Sequence, residues 1–249
     1  MYDAGFFDRY AGGSLSSARA VCPLVLSLVP AKSVVDVGCG IGTWLRAFLE
    51  AGVDEVLGID GDYVDRAQLM IPAERFLSHD LTQPVPNARR FDLAVSLEVA
   101  EHIDPAFAGQ FVSTLAGLSD VVLFSAAIPG QGGTNHVNEQ WPQYWEKLFR
   151  THDYAMLDCI REKTWNNPEV EAHYSQNTFL CVHQPLLERS PALKGYADRP
   201  VRALVHPAYY DYEPSLTSSW TLFRSATIRA LKKRLGIKRR LREVLPFRA

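Results

Sequence analysis

The stretch Val34-Val35-Asp36-Val37-Gly38-Cys39-Gly40-Ile41-Gly42-Thr43 decides the fold predicted for this chain. Its Val-rich first half is typical of a buried β-strand, and a helical segment follows over residues 43–51. Glycines between a strand and a helix let the backbone turn sharply and approach a ligand closely. A dinucleotide-binding turn would have its third glycine at position 43, which is Thr43 here. A carboxylate at Asp36 can hold an ammonium group but would repel a pyrophosphate, so we expect another ligand.

Helical segments and short apolar segments alternate along the rest of the chain. Such alternation predicts βαβ units and a parallel sheet that is buried on both faces. A first helix is predicted over residues 14–29, capped by Ser14 or Ser16. The predicted strands lie at residues 33–37, 55–59, 75–77, 91–97, 121–127, 154–160 and 178–182.

Two further acids end the second and third predicted strands. Asp60 follows Gly42 by 18 residues, and its two carboxylate oxygens can accept both hydroxyls of a ribose. Asp80 ends the third strand and can accept a hydrogen bond from an adenine amino group. Each Asp taken alone is also a common helix cap or turn residue. Three acids at three successive strand ends, beside a glycine turn, favour a site for an amino acid, a ribose and a purine.

The glycine-containing segment over residues 34–43 resembles motif I of the class I methyltransferases that use S-adenosyl-L-methionine (SAM). Gly58-Ile59-Asp60 resembles their motif II and residues 91–98 their motif IV, and the similarity covers roughly residues 14–183. The resemblance implies a Rossmann-like α/β fold, with a seven-stranded, mostly parallel sheet of order 3-2-1-4-5-7-6 and helices on both faces. It also implies an antiparallel strand 7 and SAM as the cofactor. The predicted cofactor-binding residues are Asp36, Gly38, Cys39, Gly40, Thr43, Trp44, Asp60, Gly61, Asp80, Leu81, Ser96 and Leu97.

A second motif, Glu98-Val99-Ala100-Glu101-His102, follows the fourth predicted strand. If the motif opens a helix, its two acids and its histidine share one face. His136 follows the fifth strand, and neighbouring strands would bring the two loops together. Carboxylates with imidazoles form a hard ligand set that suits Mg²⁺ or Mn²⁺. The predicted metal ligands are Glu98, Glu101, His102 and His136.

This second motif resembles the metal site of two groups of O-methyltransferases, those that modify small-RNA 3′ ends and those of ubiquinone biosynthesis. Two alternatives remain open beside the metal. Glu101, His102 and His136 can form a metal-free catalytic group in which a histidine is the general base, since imidazole titrates near neutral pH. The same residues can also have a purely structural role.

Several functions are compatible with these motifs. The leading hypothesis is a SAM-dependent enzyme that methylates an oxygen of a small hydroxylated molecule, a sugar or a glycan, with a divalent metal assisting. One alternative is a metal-free N- or O-methyltransferase with a histidine base. Another, from a different class, is a protein of this fold that binds the cofactor or a partner without catalysis.

Aromatic residues cluster in the second half of the chain. Trp141, Tyr144 and Trp145 recur at helical spacing, which predicts a stripe facing the core, with a pocket wall as the alternative. Trp165 and Tyr174 lie in an insertion before the last predicted strand.

Charge divides the chain of 249 residues unequally. Its net charge is −2, but from Arg224 onward ten Lys or Arg face one acid, whereas the preceding residues carry 16 basic and 27 acidic side chains. This balance argues against nucleic acid as a partner of the main domain and allows the tail to contact an anionic membrane surface. We expect a SAM-binding domain over residues 1–184 and an irregular, basic, amphipathic extension over residues 185–249.

The cysteines and the N-terminus bear on the compartment. Four scattered cysteines without a CxxC pair are typical of reduced thiols. The N-terminus lacks the pattern of a signal peptide, and no apolar run is long enough to span a bilayer. We therefore expect a cytoplasmic protein, with the basic tail as a means of peripheral membrane contact.

Overall fold

The sheet of this protein has the topology that the sequence predicts. A computed structural model describes residues 4–85 and 89–209, with side chains from Gly13 onward. Within these ranges the sheet has seven strands in the order β3-β2-β1-β4-β5-β7-β6. Strands β1 to β5 are parallel, and β7 pairs antiparallel with both β5 and β6, which confirms the predicted order. The strands are β1 (Ser33–Val37), β2 (Glu55–Asp60), β3 (Phe76–Ser78), β4 (Leu93–Leu97), β5 (Val121–Ser125), β6 (Tyr154–Leu157) and β7 (Phe179–His183).

Helices lie on both faces of this sheet. They are α1 (Ala4–Leu28), α2 (Thr43–Glu50), α3 (Ala108–Leu118), α4 (Pro142–Arg150), α5 (Arg161–Thr164), α6 (Ala172–Asn177), α7 (Gln184–Leu187) and α8 (Pro191–Ala197). Short 3-10 turns occur at Arg66–Gln68, Ala73–Arg75, Ala100–His102, Pro105–Phe107 and Pro207–Tyr209. Successive side chains of a strand point to opposite faces, so Val34 packs with α1 and α2 while Val35 packs with α3 and α4.

The first helix begins earlier than predicted. α1 starts at Ala4, whereas the sequence placed its start at Ser14 or Ser16. Neither serine caps it, because Ser14 Oγ lies 3.2 Å from the Tyr174 hydroxyl and Ser16 Oγ donates to Glu169. Both hydroxyls instead tie α1 to the segment before β7, which brings Tyr174 towards the carboxyl ends of the strands.

The aromatic stripe of α4 faces the core as predicted for two of its three members. Trp145 is buried, and Tyr144 packs partly buried against the same cluster. Trp141 precedes the helix and is exposed.

The packed part of the chain continues beyond residue 184. Leu187 of α7 and Leu193 of α8 are buried in the cluster that α1 and α2 cover, and the compact unit ends at Tyr209. The basic tail lies outside the described residues, so its contact with an anionic surface stays a prediction. Among the described helices, none combines the length and apolar character needed to cross a membrane.

Candidate active site

The turn after β1 depends on glycine for its shape. Gly38 and Gly42 have φ angles of +86° and +85°, in the left-handed region that residues with a Cβ avoid. A Cβ at Gly38 would lie 2.4 Å from Val99 Cγ2, so the space is also too small for any other residue. Gly42 is the N-cap of α2, so the helix starts directly after the turn that follows β1.

The larger of two cavities at this end of the sheet has a volume of about 810 Å³. Six of the predicted cofactor residues line it, and they come from the ends of β1, β2 and β3. They are Gly38, Gly40, Asp60, Gly61, Asp80 and Leu81.

Three donors hold the Asp60 carboxylate at this cavity. Its Oδ2 accepts from the Gly40 N–H at 2.6 Å, and its Oδ1 accepts from the Gly61 N–H at 2.7 Å and from the Tyr63 hydroxyl. Burial raises the pKa of Asp60, and the hydrogen bonds from Tyr63, Gly40 and Gly61 partly offset that rise. The carboxylate is therefore fixed in direction at the point where β2 ends.

Asp80 is a turn residue, which is one of the two interpretations that the sequence left open. It lines the cavity, and its Oδ1 also accepts from the backbone N–H and the hydroxyl of Thr82, at 2.9 and 2.7 Å. These bonds lower the pKa of the exposed Asp80 carboxyl. Asp80 is thus a turn residue whose second oxygen makes neither of these bonds.

The smaller cavity, of about 380 Å³, lies on the other side of the motif I turn. Asp36 is buried in its wall, and burial, followed by the charge of Asp60, raises the pKa of Asp36 well above its usual range. The other predicted cofactor residues in this wall are Cys39, Thr43, Trp44 and Leu97, together with Gly38 and Gly40. Ser96 lines neither cavity, because it alternates with Leu97 along β4 and is buried within the sheet.

Three of the four predicted metal ligands lie together in the wall of the smaller cavity. The ligand atoms of Glu101, His102 and His136 are all within 4.8 Å of one another. The loops after β4 and β5 meet as predicted, because the Glu101 carbonyl accepts from the N–H groups of Val137 and Asn138 at 2.9 Å each.

Glu98 is not part of this group. The predicted helix does not form there: Glu98 has a φ of 55°, and only a 3-10 turn follows at Ala100–His102. The Glu98 carboxylate instead accepts from Gln131 Nε2 at 2.9 Å and from Asn177 Nδ2 at 3.1 Å. The shared helix face predicted for the two acids and the histidine was therefore wrong.

Glu101 is a fully buried carboxylate without a hydrogen-bond partner in the described chain. Burial, and then the nearby charge of Glu98, raise the pKa of Glu101 well above its usual range. The backbone N–H groups of Glu101 and Ala127 partly offset the rise, but neither meets the carboxylate with hydrogen-bonding geometry. Such a group needs a proton or a cation to be stable.

The two histidines are held in different ways. Burial, and then the nearby His136, lower the pKa of His102 to about 4, so this imidazole is neutral at physiological pH. His136 Nδ1 lies 3.0 Å from Glu139 Oε1, and Glu139 also accepts from the N–H groups of Gly130 and Gly132. Because Nδ1 donates to the carboxylate, the neutral form of this imidazole has its lone pair on Nε2.

Some residues of this site were not predicted. Gln131, Gln176 and Asn177, of which the last two are buried, form an amide network around Glu98, and no motif marks them in the sequence. Tyr174 stacks edge to face on Trp44, with 5.0 Å between the ring centroids, and lines the smaller cavity. Its position in an insertion rich in aromatic residues was the only available signal.

The fold and the two cavities define the class of Rossmann-like, SAM-dependent methyltransferases. A family model described as "Methyltransferase domain" matches residues 10–154, more than half of the chain. The chain belongs to this methyltransferase-domain family. A comparison with the curated proteins finds no match to it.

Solved structures with this fold are distant in sequence. The sugar N-methyltransferase KedS8 from Streptoalloteichus sp is 16% identical, with a TM-score of 0.56 over 73% of this chain and 93% of that one. SAM-bound CalS10 from Micromonospora echinaspora, an amino pentose methyltransferase, is 14% identical, with a TM-score of 0.52 over 74% and 98%. An O-methyltransferase family protein from Burkholderia thailandensis is 15% identical, with a TM-score of 0.52 over 73% of this chain. The chain spans only 60% of that last protein's length.

Proposed function

We propose that this protein transfers a methyl group from SAM to an oxygen of a small hydroxylated molecule, a sugar or a glycan. The observation that carries the proposal is the group of Glu101, His102 and His136, which lies in the same cavity wall as Asp36 and the motif I glycines. Methyl transfer to a hydroxyl needs a group that accepts the hydroxyl proton near the methionine end of the cofactor. A protein that only binds the cofactor has no need of such a group.

The two cavities together accommodate the parts of SAM in order. In this pose Asp36 holds the ammonium group in the smaller cavity, Asp60 accepts from the ribose hydroxyls, and Asp80 with Leu81 contacts the adenine in the larger cavity. Gly38 and Gly40 line both cavities and let the cofactor pass close to the backbone. The sulfonium methyl group would then face the loops after β4 and β5.

The chain's own residues can accept the acceptor's proton. The contact between Nδ1 and Glu139 directs the lone pair of a neutral His136 to Nε2, and His102 is neutral because of its lowered pKa. Alignment of methyl donor and acceptor supplies the larger part of the rate enhancement in such a displacement, and proton removal adds to it.

The same residues fit a divalent cation. Glu101 offers two buried oxygens without hydrogen-bond partners among the described residues, and a ring nitrogen of each histidine lies within 4.8 Å of one of them. Mg²⁺ or Mn²⁺, when bound, would lower the pKa of an acceptor hydroxyl. Glu101, His102 and His136 would hold it, whereas Glu98 is held by amide groups outside this set.

A metal-free N- or O-methyltransferase is the second candidate. It is favoured by the His136–Glu139 pair, which prepares a general base without any cation. The solved relatives include a sugar N-methyltransferase and an O-methyltransferase family protein, so the fold alone does not choose the acceptor atom.

Binding and turnover measurements test the proposal in two steps. Calorimetry should show that the full chain binds SAM and its product, S-adenosylhomocysteine (SAH). Transfer of a labelled methyl group is then followed across hydroxylated and amino acceptors, with EDTA and with added Mn²⁺. If the protein binds neither SAM nor SAH, the proposal is wrong. If EDTA does not change turnover, the enzyme works without a metal and only the metal-free form of the proposal stands.

A further inference from the structure

The Asp60 carboxylate has a limited number of places for donors. Two carboxylate oxygens offer about four lone-pair sites. The N–H groups of Gly40 and Gly61 take one site on Oδ2 and one on Oδ1. One site on each oxygen is left, which matches the two neighbouring hydroxyls of a ribose.

Tyr63 takes one of these two remaining sites. Its hydroxyl donates to Oδ1 of Asp60, so that oxygen already has two donors. A ribose that engages both oxygens must therefore displace the Tyr63 hydroxyl. Tyr63 lines the larger cavity, is 49% exposed and belongs to neither buried cluster, so moving its side chain does not open the core.

Gly61 makes room for this arrangement. A Cβ at position 61 would lie 2.2 Å from Tyr63 Cε1 and 2.6 Å from Cδ1. The tyrosine ring therefore folds back over a residue without a side chain, which brings its hydroxyl to the end of β2.

We propose that Tyr63 is an internal competitor for the ribose site: it holds Asp60 in the cofactor-free protein and leaves Oδ1 when the nucleoside enters. This inference rests on the proposed function, in which Asp60 binds the ribose. Displacing a hydrogen bond to a charged group reduces the apparent affinity for any ligand that needs the same lone pair. Tyr63 thus weakens binding of SAM and SAH alike and favours release of the product.

Calorimetry with SAH tests the competition directly. Tyr63→Phe removes the hydroxyl and keeps the ring, so SAH should bind about three- to tenfold more tightly than to the wild type. Tyr196→Phe, on α8 away from both cavities, is the matched control and should leave the dissociation constant unchanged. Thermal melting without ligand checks that each variant is folded.

Two SAH analogues separate competition from a general gain in apolar contact. SAH that lacks either the 2′ or the 3′ hydroxyl needs only one lone pair of Asp60. The gain from Tyr63→Phe should fall to within about twofold for the analogue that lacks the hydroxyl facing Oδ1, and should persist for the other. An equal gain for both analogues, or unchanged or weaker SAH binding by Tyr63→Phe, overturns the inference.

Asp60→Ala distinguishes failure of the inference from failure of the ribose assignment. If a folded Asp60→Ala variant binds SAH as tightly as the wild type, Asp60 is not the ribose ligand, and both the assignment and the competition are wrong. If Asp60→Ala weakens SAH binding while Tyr63→Phe does not strengthen it, the assignment stands and the competition is wrong.

Discussion

The imidazole rings of His102 and His136 meet edge to face, with 4.8 Å between their centroids. They follow two different strands, β4 and β5, which pair in parallel, so the sheet itself brings them together. Their proximity also helps to keep His102 neutral, since burial and then His136 lower its pKa to about 4. Glu139 then distinguishes the two rings by engaging only His136.

His136→Ala should reduce turnover without impairing the binding of the cofactor. We expect kcat to fall by about 100-fold or more, because general-base catalysis contributes that order of magnitude. The dissociation constant for SAH should change by less than about twofold, since no predicted cofactor contact is removed. His152→Ala, in the turn after α4, is the control. A His136→Ala enzyme with wild-type kcat would exclude His136 as the base.

Glu101→Gln should distinguish the metal-dependent enzyme from the metal-free one. If the cluster holds a cation, the wild type binds Mn²⁺ and loses turnover in EDTA, and Mn²⁺ restores it. Removing one charged ligand should weaken Mn²⁺ binding by about tenfold or more, measured by the fall of the free Mn²⁺ signal in electron paramagnetic resonance. If the wild-type protein leaves the free Mn²⁺ signal unchanged, it does not bind Mn²⁺ and the metal-dependent form of the proposal is wrong.

Much of the architecture could be predicted because it follows from local patterns. The apolar runs that contain Asp36 and that precede Asp60 and Asp80 predicted the first three strands and the edge of the sheet at which these acids lie. Because β4 and β5 pair in parallel, the loops that follow them lie side by side, and the strand order alone was enough to predict this.

The predictions that were wrong concern features that depend on contacts between residues far apart in the sequence. The helix expected at Glu98 is replaced by a left-handed residue whose carboxylate bonds to Asn177, a partner 79 positions away. The early start of α1 is accompanied by a contact between Ser14 and Tyr174. No sequence pattern predicts either contact, because only the packing of the folded domain brings residues so far apart in the chain together.

Gly38→Ala should damage both folding and cofactor binding. The substitution puts a Cβ 2.4 Å from Val99 Cγ2 and forces a side-chain-bearing residue into a φ of +86°. We expect a loss of about 2–3 kcal/mol in the free energy of unfolding, measured by urea denaturation. A Cβ at Gly117 in α3 would meet nothing within 4 Å outside its own helix in the described part of the chain, so Gly117→Ala should be neutral or stabilising. Adding Val99→Ala to Gly38→Ala should recover part of the loss, and recovery of none would contradict the steric cause.

Asp92 should make the stability of the domain depend on pH below about pH 5. Its Oδ2 accepts from the N–H groups of Lys32 and Ser33 at 2.9 and 2.8 Å, which joins the beginnings of β1 and β4. Burial alone would raise the pKa of Asp92, but these bonds outweigh it and the pKa is lowered. A lowered folded-state pKa means that the carboxylate stabilises the fold above its unfolded-state pKa of about 3.9, and that this contribution is lost as the pH falls through the folded-state value.

Asp92→Ala should therefore lower the free energy of unfolding by about 1 kcal/mol at pH 7, a modest value because the carboxylate is exposed to screening by solvent. The difference from the wild type should persist down to about pH 5 and shrink below about pH 4, because Asp92 then takes up a proton more readily in the unfolded wild type than in the folded one. Urea titrations at pH 7, 5, 4 and 3.5 measure it. Asp54→Ala, which removes an exposed carboxylate 3.4 Å from Lys32 Nζ, is the control and should have little effect at any of these values. A difference for Asp92→Ala that stays constant to pH 3.5 would mean that the lost contacts do not depend on its charge.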